Sequence, residues 1–139
     1  MALTSTERAC LATQQLARLS TIGPDGGPQT RPVGFVLNDD DTLDIGGPRL
    51  SASQKYRNAA ARPQVSLLID DMTPADDPVA PGWGRGVEIR GRAEVLTLDA
   101  PPMAPEFFSN EVIRVHPVRV NSWHLEADGG AARSRQVSA

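Results

Sequence analysis

The stretch Leu19-Ser20-Thr21-Ile22-Gly23-Pro24-Asp25-Gly26-Gly27-Pro28-Gln29-Thr30-Arg31-Pro32-Val33-Gly34-Phe35-Val36-Leu37 decides the fold class. Its two ends are β-rich, and Val33, Phe35 and Leu37 alternate as a half-buried strand does. Its middle is glycine, proline and aspartate, residues that supply the φ angles of a tight turn. Two strands joined by so short a turn pair antiparallel, so a hairpin is predicted here.

Upstream, Thr4-Ser5-Thr6-Glu7 fits a capping box, with Thr4 as N-cap and Glu7 three residues on, and predicts a short helix to about Thr13. Residues 15–22 fit helix or strand, and their end reads as strand. Downstream, Asn38-Asp39-Asp40-Asp41 predicts a turn and residues 42–46 a short strand. Tyr56 begins an alanine-rich helix that Pro63 stops. Val65-Ser66-Leu67-Leu68-Ile69 reads as a buried strand. Residues 72–86 form a long loop, and residues 87–96 alternate as a strand in which Gly91 marks a bulge or a close backbone approach. Residues 112–125 predict a strand pair or one bent strand interrupted by Pro117. About six strands and two short helices, mostly hairpin-linked, imply an antiparallel barrel or sandwich with helices at its ends. Residues 1–126 are expected to form this one domain, and the small, polar segment 127–139 to be disordered.

The bulk numbers exclude several classes. A chain of 139 residues, 40% hydrophobic and 22% charged, is an ordinary globular domain. No apolar run is long enough for a transmembrane helix, and Glu7 and Arg8 interrupt any signal-like start, so a cytoplasmic protein with no membrane partner is expected. The net charge of −3 gives no basic field for nucleic acid. The single cysteine, Cys10, excludes an internal disulfide and a cysteine-based zinc site, and reads as a buried small hydrophobe. His116 and His124 have no second ligand at a helical metal spacing, so no metal site is expected. The aspartate runs 39–41 and 70–77 read as solvated loops.

One lysine stands against thirteen arginines, and it is Lys55. It follows Gly46-Gly47-Pro48-Arg49-Leu50-Ser51-Ala52-Ser53-Gln54, a strand end, a Gly/Ser-rich bend and a helix start. Small residues let backbone N–H groups approach a ligand, and a helix N-terminus favours anions, so this segment suits a phosphate. It lacks the P-loop spacing. Gly82-Trp83-Gly84-Arg85-Gly86 precedes a strand instead of following one, which excludes a dinucleotide fingerprint. Arg85, at a loop–strand junction, could reach a ligand. Strand alternation puts Arg114 and His116 on one face, where they could grip an anionic substrate or simply meet solvent. No nucleophile with its base can be assigned, so the catalytic residues stay unknown.

The ordered set Pro24-Asp25-Gly26, Arg31-Pro32-Val33-Gly34-Phe35, Gly46-Gly47, Ser53-Gln54-Lys55, Arg62-Pro63-Gln64-Val65-Ser66-Leu67 and Ile89-Arg90-Gly91-Arg92-Ala93 resembles the pyridoxamine 5′-phosphate oxidase-like split β-barrel flavoproteins. With Ile113-Arg114-Val115-His116-Pro117-Val118-Arg119-Val120-Asn121-Ser122-Trp123 it is most similar to the deazaflavin (coenzyme F420)-dependent oxidoreductase branch. The resemblance covers roughly residues 5–125. It implies a mainly β fold, a six-stranded antiparallel split barrel, and a homodimer with cofactor between the subunits. It implies cofactor contacts from Arg31, Pro32, Val33 and Gly34 along the ring. Gly46, Gly47, Ser51, Ser53, Gln54 and Lys55 are implied around the phosphate, with Arg85 nearby. Gln54 stands where the family has an arginine, so Lys55 carries more of the anion binding, with Arg49 or Arg57 as compensators. Gly86 stands where the oxidase has a glutamine near the flavin ring, which argues against the oxidase reaction itself. Arg114 and His116 match the family's Arg-x-His pair for substrate phosphate. The implied activity is hydride transfer from F420 to a small conjugated substrate. The alternatives are an FMN-dependent reductase or oxidase of the same fold, or a non-catalytic flavin or tetrapyrrole carrier.

Overall fold

The computed structural model of the protein describes residues 2–126 and 132–137. The hairpin forms as read: β1 (Leu16–Ile22) pairs antiparallel with β2 (Pro28–Leu37), Ile22 opposite Pro28 and Leu19 opposite Arg31. Gly26 takes φ +82°, the left-handed turn conformation that glycine adopts without steric cost. The helix-or-strand ambiguity of residues 15–22 resolves to strand, because Ala17, Leu19 and Thr21 go inward in alternation. Ahead of it, α1 (Ser5–Ala12) carries the expected capping box: Glu7 N–H donates to Thr4 Oγ1 at 3.1 Å and Thr4 N–H to Glu7 Oε1 at 2.9 Å.

The remaining strands are β3 (Leu43–Ile45), β4 (Gln64–Met72), β5 (Gly84–Thr97), β6 (Glu111–Trp123) and β7 (Arg133–Gln136). Their order is β3-β2-β1-β4-β5-β6-β7, and β3 also pairs with β6. That pairing closes six antiparallel strands into a barrel, the expected architecture. Leu19, Ile45, Leu67, Ile89, Ile113 and Val115 fill its interior. Among the described residues, no helix is long and apolar enough to cross a membrane.

Residues 111–123 form one strand that runs through Pro117. Gly91 lies opposite Pro117, Arg90 lies opposite Arg119, and the register slips between them, leaving Val118 as the extra residue of a bulge. A Cβ on Gly91 would lie 2.7 Å from the His116 carbonyl oxygen. Gly91→Ala is therefore expected to destabilise the fold by about 1–3 kcal/mol, the usual cost of overpacking. Urea unfolding checks this, and an unchanged midpoint would mean that the bulge opens freely.

The segment expected to be disordered needs correction where it is described. Arg133–Gln136 pair with β6, Arg135 opposite Val120. An ion pair across the chain supports this strand: Arg135 Nη1 donates to Glu7 Oε2 at 2.9 Å and Arg135 Nη2 to the Ala2 carbonyl at 2.6 Å. Residues 127–131 and 138–139 of that expectation lie outside the described residues.

Helix α2 (Gln54–Ala61) starts two residues earlier than the alanines predicted, because Ser53 caps it, its Oγ accepting from Tyr56 N–H at 3.3 Å. The helix packs across β1 and β5. Asn58, buried on its inner face, donates to Thr21 Oγ1 at 3.0 Å and Gln29 Oε1 at 2.9 Å, and so fixes α2 against the hairpin.

Candidate cofactor site

The short third strand creates the site. β3 pairs with β2 only at Phe35–Leu37. The same register would next set Gly34 against Gly46, but the chain turns away there, so among the described residues positions 28–34 of β2 are paired on the β1 side alone. Past this fork, Arg49 takes a left-handed φ of +47° and a 3₁₀ turn over Leu50–Ala52 leads to Ser53 and α2. The bend is held rigidly. Ser109 Oγ accepts from Leu50 N–H at 3.0 Å and donates to the Gly47 carbonyl at 3.1 Å. Glu111 accepts from Ser51 N–H at 3.2 Å, and that bond holds its carboxyl below the ordinary range.

Lys55 and Arg31 meet in this corner. Arg31 shares a sheet face with its cross-strand partner Leu19, and the first turn of α2 brings Lys55 over that face. Together with Gln29, Ser53 and Gln54 they line a cavity of about 220 Å³. Burial first, and then the Arg31 charge, push the Lys55 pKa below its ordinary value. Among the described residues neither cation has a carboxylate at ion-pair distance, whereas Arg8, Arg18, Arg85, Arg90, Arg114 and Arg135 each have one. Two like charges in one cavity repel each other, and an anion placed between them removes that cost. The fit to a phosphate-bearing group thus rests on two adjacent cations, Lys55 partly buried and Arg31 exposed, with a capped helix N-terminus and a free strand edge beside them.

The other expected contacts divide. Gln54 lines the cavity, but its amide works within the helix: Nε2 donates to Asn58 Oδ1 at 2.7 Å and Oε1 accepts from Arg57 at 2.8 Å. Arg57 also donates to the Ala52 carbonyl at 2.7 Å, and neither it nor Arg49 lines the cavity. Arg31, and neither Arg49 nor Arg57, lies beside Lys55 in the cavity. Pro32 is exposed at the free edge and Val33 is core. Gly34 and Gly46 make room for protein: Met103 Sδ lies 3.0 Å from a Cβ built on Gly34, and Phe108 Cδ2 2.9 Å from one on Gly46. Gly47 is similarly close to Leu50. Ser51 offers an exposed side chain, but Glu111 holds its N–H.

Arg85 is elsewhere. It grips Asp71 with Nε at 2.7 Å and Nη2 at 3.1 Å, which raises its own pKa, and it lines a separate cavity with Cys10 and His124. Beside it, the Trp123 indole fills the space at Gly86, 2.5 Å from where a Cβ would be. Arg114 and His116 share a face of β6 as alternation required. Arg114 is held by Asp44 at 2.8 and 2.9 Å, and His116 lies 2.9 Å from Glu94. Neither lines the Lys55 cavity. The meeting of Arg31 with Lys55 was not visible in sequence, although the Leu19–Arg31 register of the predicted hairpin was its signal. Cys10 is buried, and burial pushes its thiol pKa up, as suits a small core residue.

Comparison with known proteins gives the family of the fold. The family model of pyridoxamine 5′-phosphate oxidase matches residues 3–124. A 5a,11a-dehydrotetracycline/5a,11a-dehydrooxytetracycline reductase from Streptomyces rimosus is 34% identical over 129 residues, 92% of this chain and 87% of that one. An F420 reductase superimposes with a TM-score of 0.60 at 23% identity, over 85% of this chain and 98% of that one. A heme binding protein from Mycobacterium smegmatis superimposes with a TM-score of 0.67 at 19% identity; the match covers 96% of this chain but 58% of that one. The two structural likenesses show a shared fold, and the family match spans nearly the whole barrel. The chain belongs to the pyridoxamine 5′-phosphate oxidase family of split β-barrels.

Proposed function

We propose that the protein is an oxidoreductase that binds the deazaflavin F420 and passes hydride to a conjugated, electron-poor ring substrate. The observation that carries this is the Lys55–Arg31 pair, two cations in one cavity with no carboxylate among the described residues. When bound, the deazaflavin supplies the hydride, and the protein supplies orientation and electrostatics. Lys55 and Arg31 hold the phosphodiester, and Ser53 fixes the helix start that presents Lys55. The unpaired edge of β2 offers backbone groups to the ring. The 34%-identical relative is a reductase of a dehydrotetracycline, a conjugated polycycle, which supports reduction as the chemistry. A cavity of about 220 Å³ is too small to enclose such a cofactor, since pockets for ligands of that size run to roughly 300–1,000 Å³. A second copy of the chain then supplies the opposite wall, in a two-fold homodimer.

Fluorescence titration with F420 and with FMN tests the reading. Micromolar binding of F420 is expected, followed by turnover on a panel of quinones and enones. Binding of FMN with none of F420 would replace the cofactor, and F420 binding without turnover would make the protein a carrier.

A pH dependence follows from Lys55. The phosphate favours the charged ammonium, so the bound-state pKa is higher than the lowered free-state value. Affinity is therefore full below the free-state value and falls as pH rises through it, earlier than an ordinary lysine would give. Measuring the F420 Kd from neutral to alkaline pH should show this fall. Lys55→Arg should flatten it, because arginine keeps its charge.

A further inference from the structure

The side-chain oxygens around the Lys55 cavity belong to Thr21, Gln29, Ser53 and Gln54, and each already accepts a hydrogen bond from the protein. Asn58 arranges most of this. It is 1% exposed, on the inner face of α2. Its Nδ2 donates both to Thr21 Oγ1 and to Gln29 Oε1, and its Oδ1 accepts from Gln54 Nε2 at 2.7 Å. With the Gln54 nitrogen held there, the Gln54 oxygen goes to Arg57. Ser53 is committed separately: its Oγ accepts from Tyr56 N–H and donates to the Leu50 carbonyl at 2.6 Å. One buried amide therefore sets two glutamine amides, each of which can otherwise present oxygen or nitrogen.

What remains for a ligand is the opposite set of groups. Gln29 is exposed, and with its oxygen held by Asn58 its Nε2 has no partner among the described residues. The Lys55 ammonium and the Arg31 guanidinium donate and never accept. No carboxylate among the described residues lines the cavity. Donors without an uncommitted acceptor suit a group that only accepts. An ionised phosphodiester is such a group, and a phosphate that keeps an O–H is not. That O–H would meet N–H groups only, and a polar group left unmatched in a binding site loses affinity.

We infer that Asn58 is a positioning residue: by holding the glutamine amides it makes the Lys55 cavity selective for oxyanions that carry no O–H of their own. This rests on the reading of that cavity as the anion site and names the class of anion it takes. The bond between Asn58 and the hairpin that fixes α2 in the fold is the same bond that sets the Gln29 amide, so packing and selectivity share one residue.

Lys55 is the sole lysine, so protein labelled with carbon-13 lysine gives one side-chain signal, and that signal reports on the cavity alone. The probes are dimethyl phosphate and methyl phosphate, titrated against the full chain in mildly acidic buffer. Both are monoanions there, and only methyl phosphate keeps an O–H. The wild type is expected to bind dimethyl phosphate about ten-fold more tightly, the consequence of one unmatched donor. Asn58→Ala frees both glutamine amides to turn, and the ratio should fall towards one. Gln29→Glu keeps an oxygen for Asn58 but replaces the free nitrogen with an acceptor, at an exposed position where folding is not at risk. Its added charge acts alike on two anions of equal charge, so a lowered ratio reports the acceptor itself. Equal affinities in the wild type, no response of the Lys55 signal to either anion, or an unchanged ratio in Gln29→Glu would overturn the inference. So would a folded Asn58→Ala that weakens both anions alike, since that is what a purely structural asparagine does. If Asn58→Ala does not fold, Gln29→Glu decides. F420 titrated on the same signal is a separate arm: its failure where dimethyl phosphate succeeds would count against the cofactor reading and leave the selectivity standing.

Discussion

Replacing both Lys55 and Arg31 by alanine is expected to weaken F420 binding by about two to four orders of magnitude, each charge-assisted contact contributing roughly 1.5–3 kcal/mol. The single variants should each lose about ten-fold or more, again from the lower end of that contribution. The losses will not add simply. In the free protein the two cations repel, and Arg31 is part of why the Lys55 pKa is lowered. Removing either one relieves that repulsion, so neither variant should be less stable than the wild type. Loss of affinity with an unchanged or slightly raised melting temperature is the signature of charges placed for a ligand rather than for the fold. Calorimetric titration beside thermal unfolding gives both numbers, and a parallel fall in stability would instead make these cations structural.

Arg135→Ala should have the largest effect on stability. Glu7 is 2% exposed, and Arg135 is its charged partner from the far end of the chain. Burial pushes the Glu7 carboxyl up. The Arg135 bond, the Thr4 N–H and Ser122 together outweigh this, leaving its pKa below the ordinary value. Removing the guanidinium leaves a buried carboxylate with neutral donors only, at a cost of about 3 kcal/mol, the low end for breaking a buried pair because Arg135 itself is partly exposed. The pH sign follows from the lowered pKa. In the wild type the contribution of Glu7 is complete above the unfolded carboxylate value and is lost as pH falls through the folded value. The variant lacks the stabilised carboxylate, so its deficit should be largest near neutrality and shrink in acid. Urea unfolding at neutral and acidic pH checks this, and a deficit independent of pH would exclude the ion pair as the cause.

What was legible in the sequence was local. The capping box and the hairpin are each set by residues a few positions apart and formed as read, and Gly91 itself marked the close backbone approach and register slip that β6 completes from far along the chain. Strand β7 was not legible. Its four residues are all polar or charged, with no apolar alternation to mark a strand, and it is held by Arg135 reaching a helix at the other end of the chain. Alternation put Arg114 and His116 on one face, but no local pattern could show that barrel closure sets Asp44 opposite Arg114, or that β5 brings Glu94 to His116. Gly46 and Gly47 read as room for a ligand, whereas Phe108 and Leu50 take up the space beside them. Lys55 stood out by composition alone. Its partner emerges only when the Leu19–Arg31 register and the packing of α2 on β1 are combined.

The most direct measurement is a cycle between the protein and the cofactor. F420 and the same deazaflavin stripped of its phosphodiester tail are each titrated against wild type and Lys55→Ala. Removing the phosphate should cost the wild type about ten-fold or more in affinity, the worth of one charge-assisted contact. It should cost the variant much less, because the two changes delete the same interaction. Equal losses in both proteins would place the phosphate away from Lys55 and remove the basis of the site.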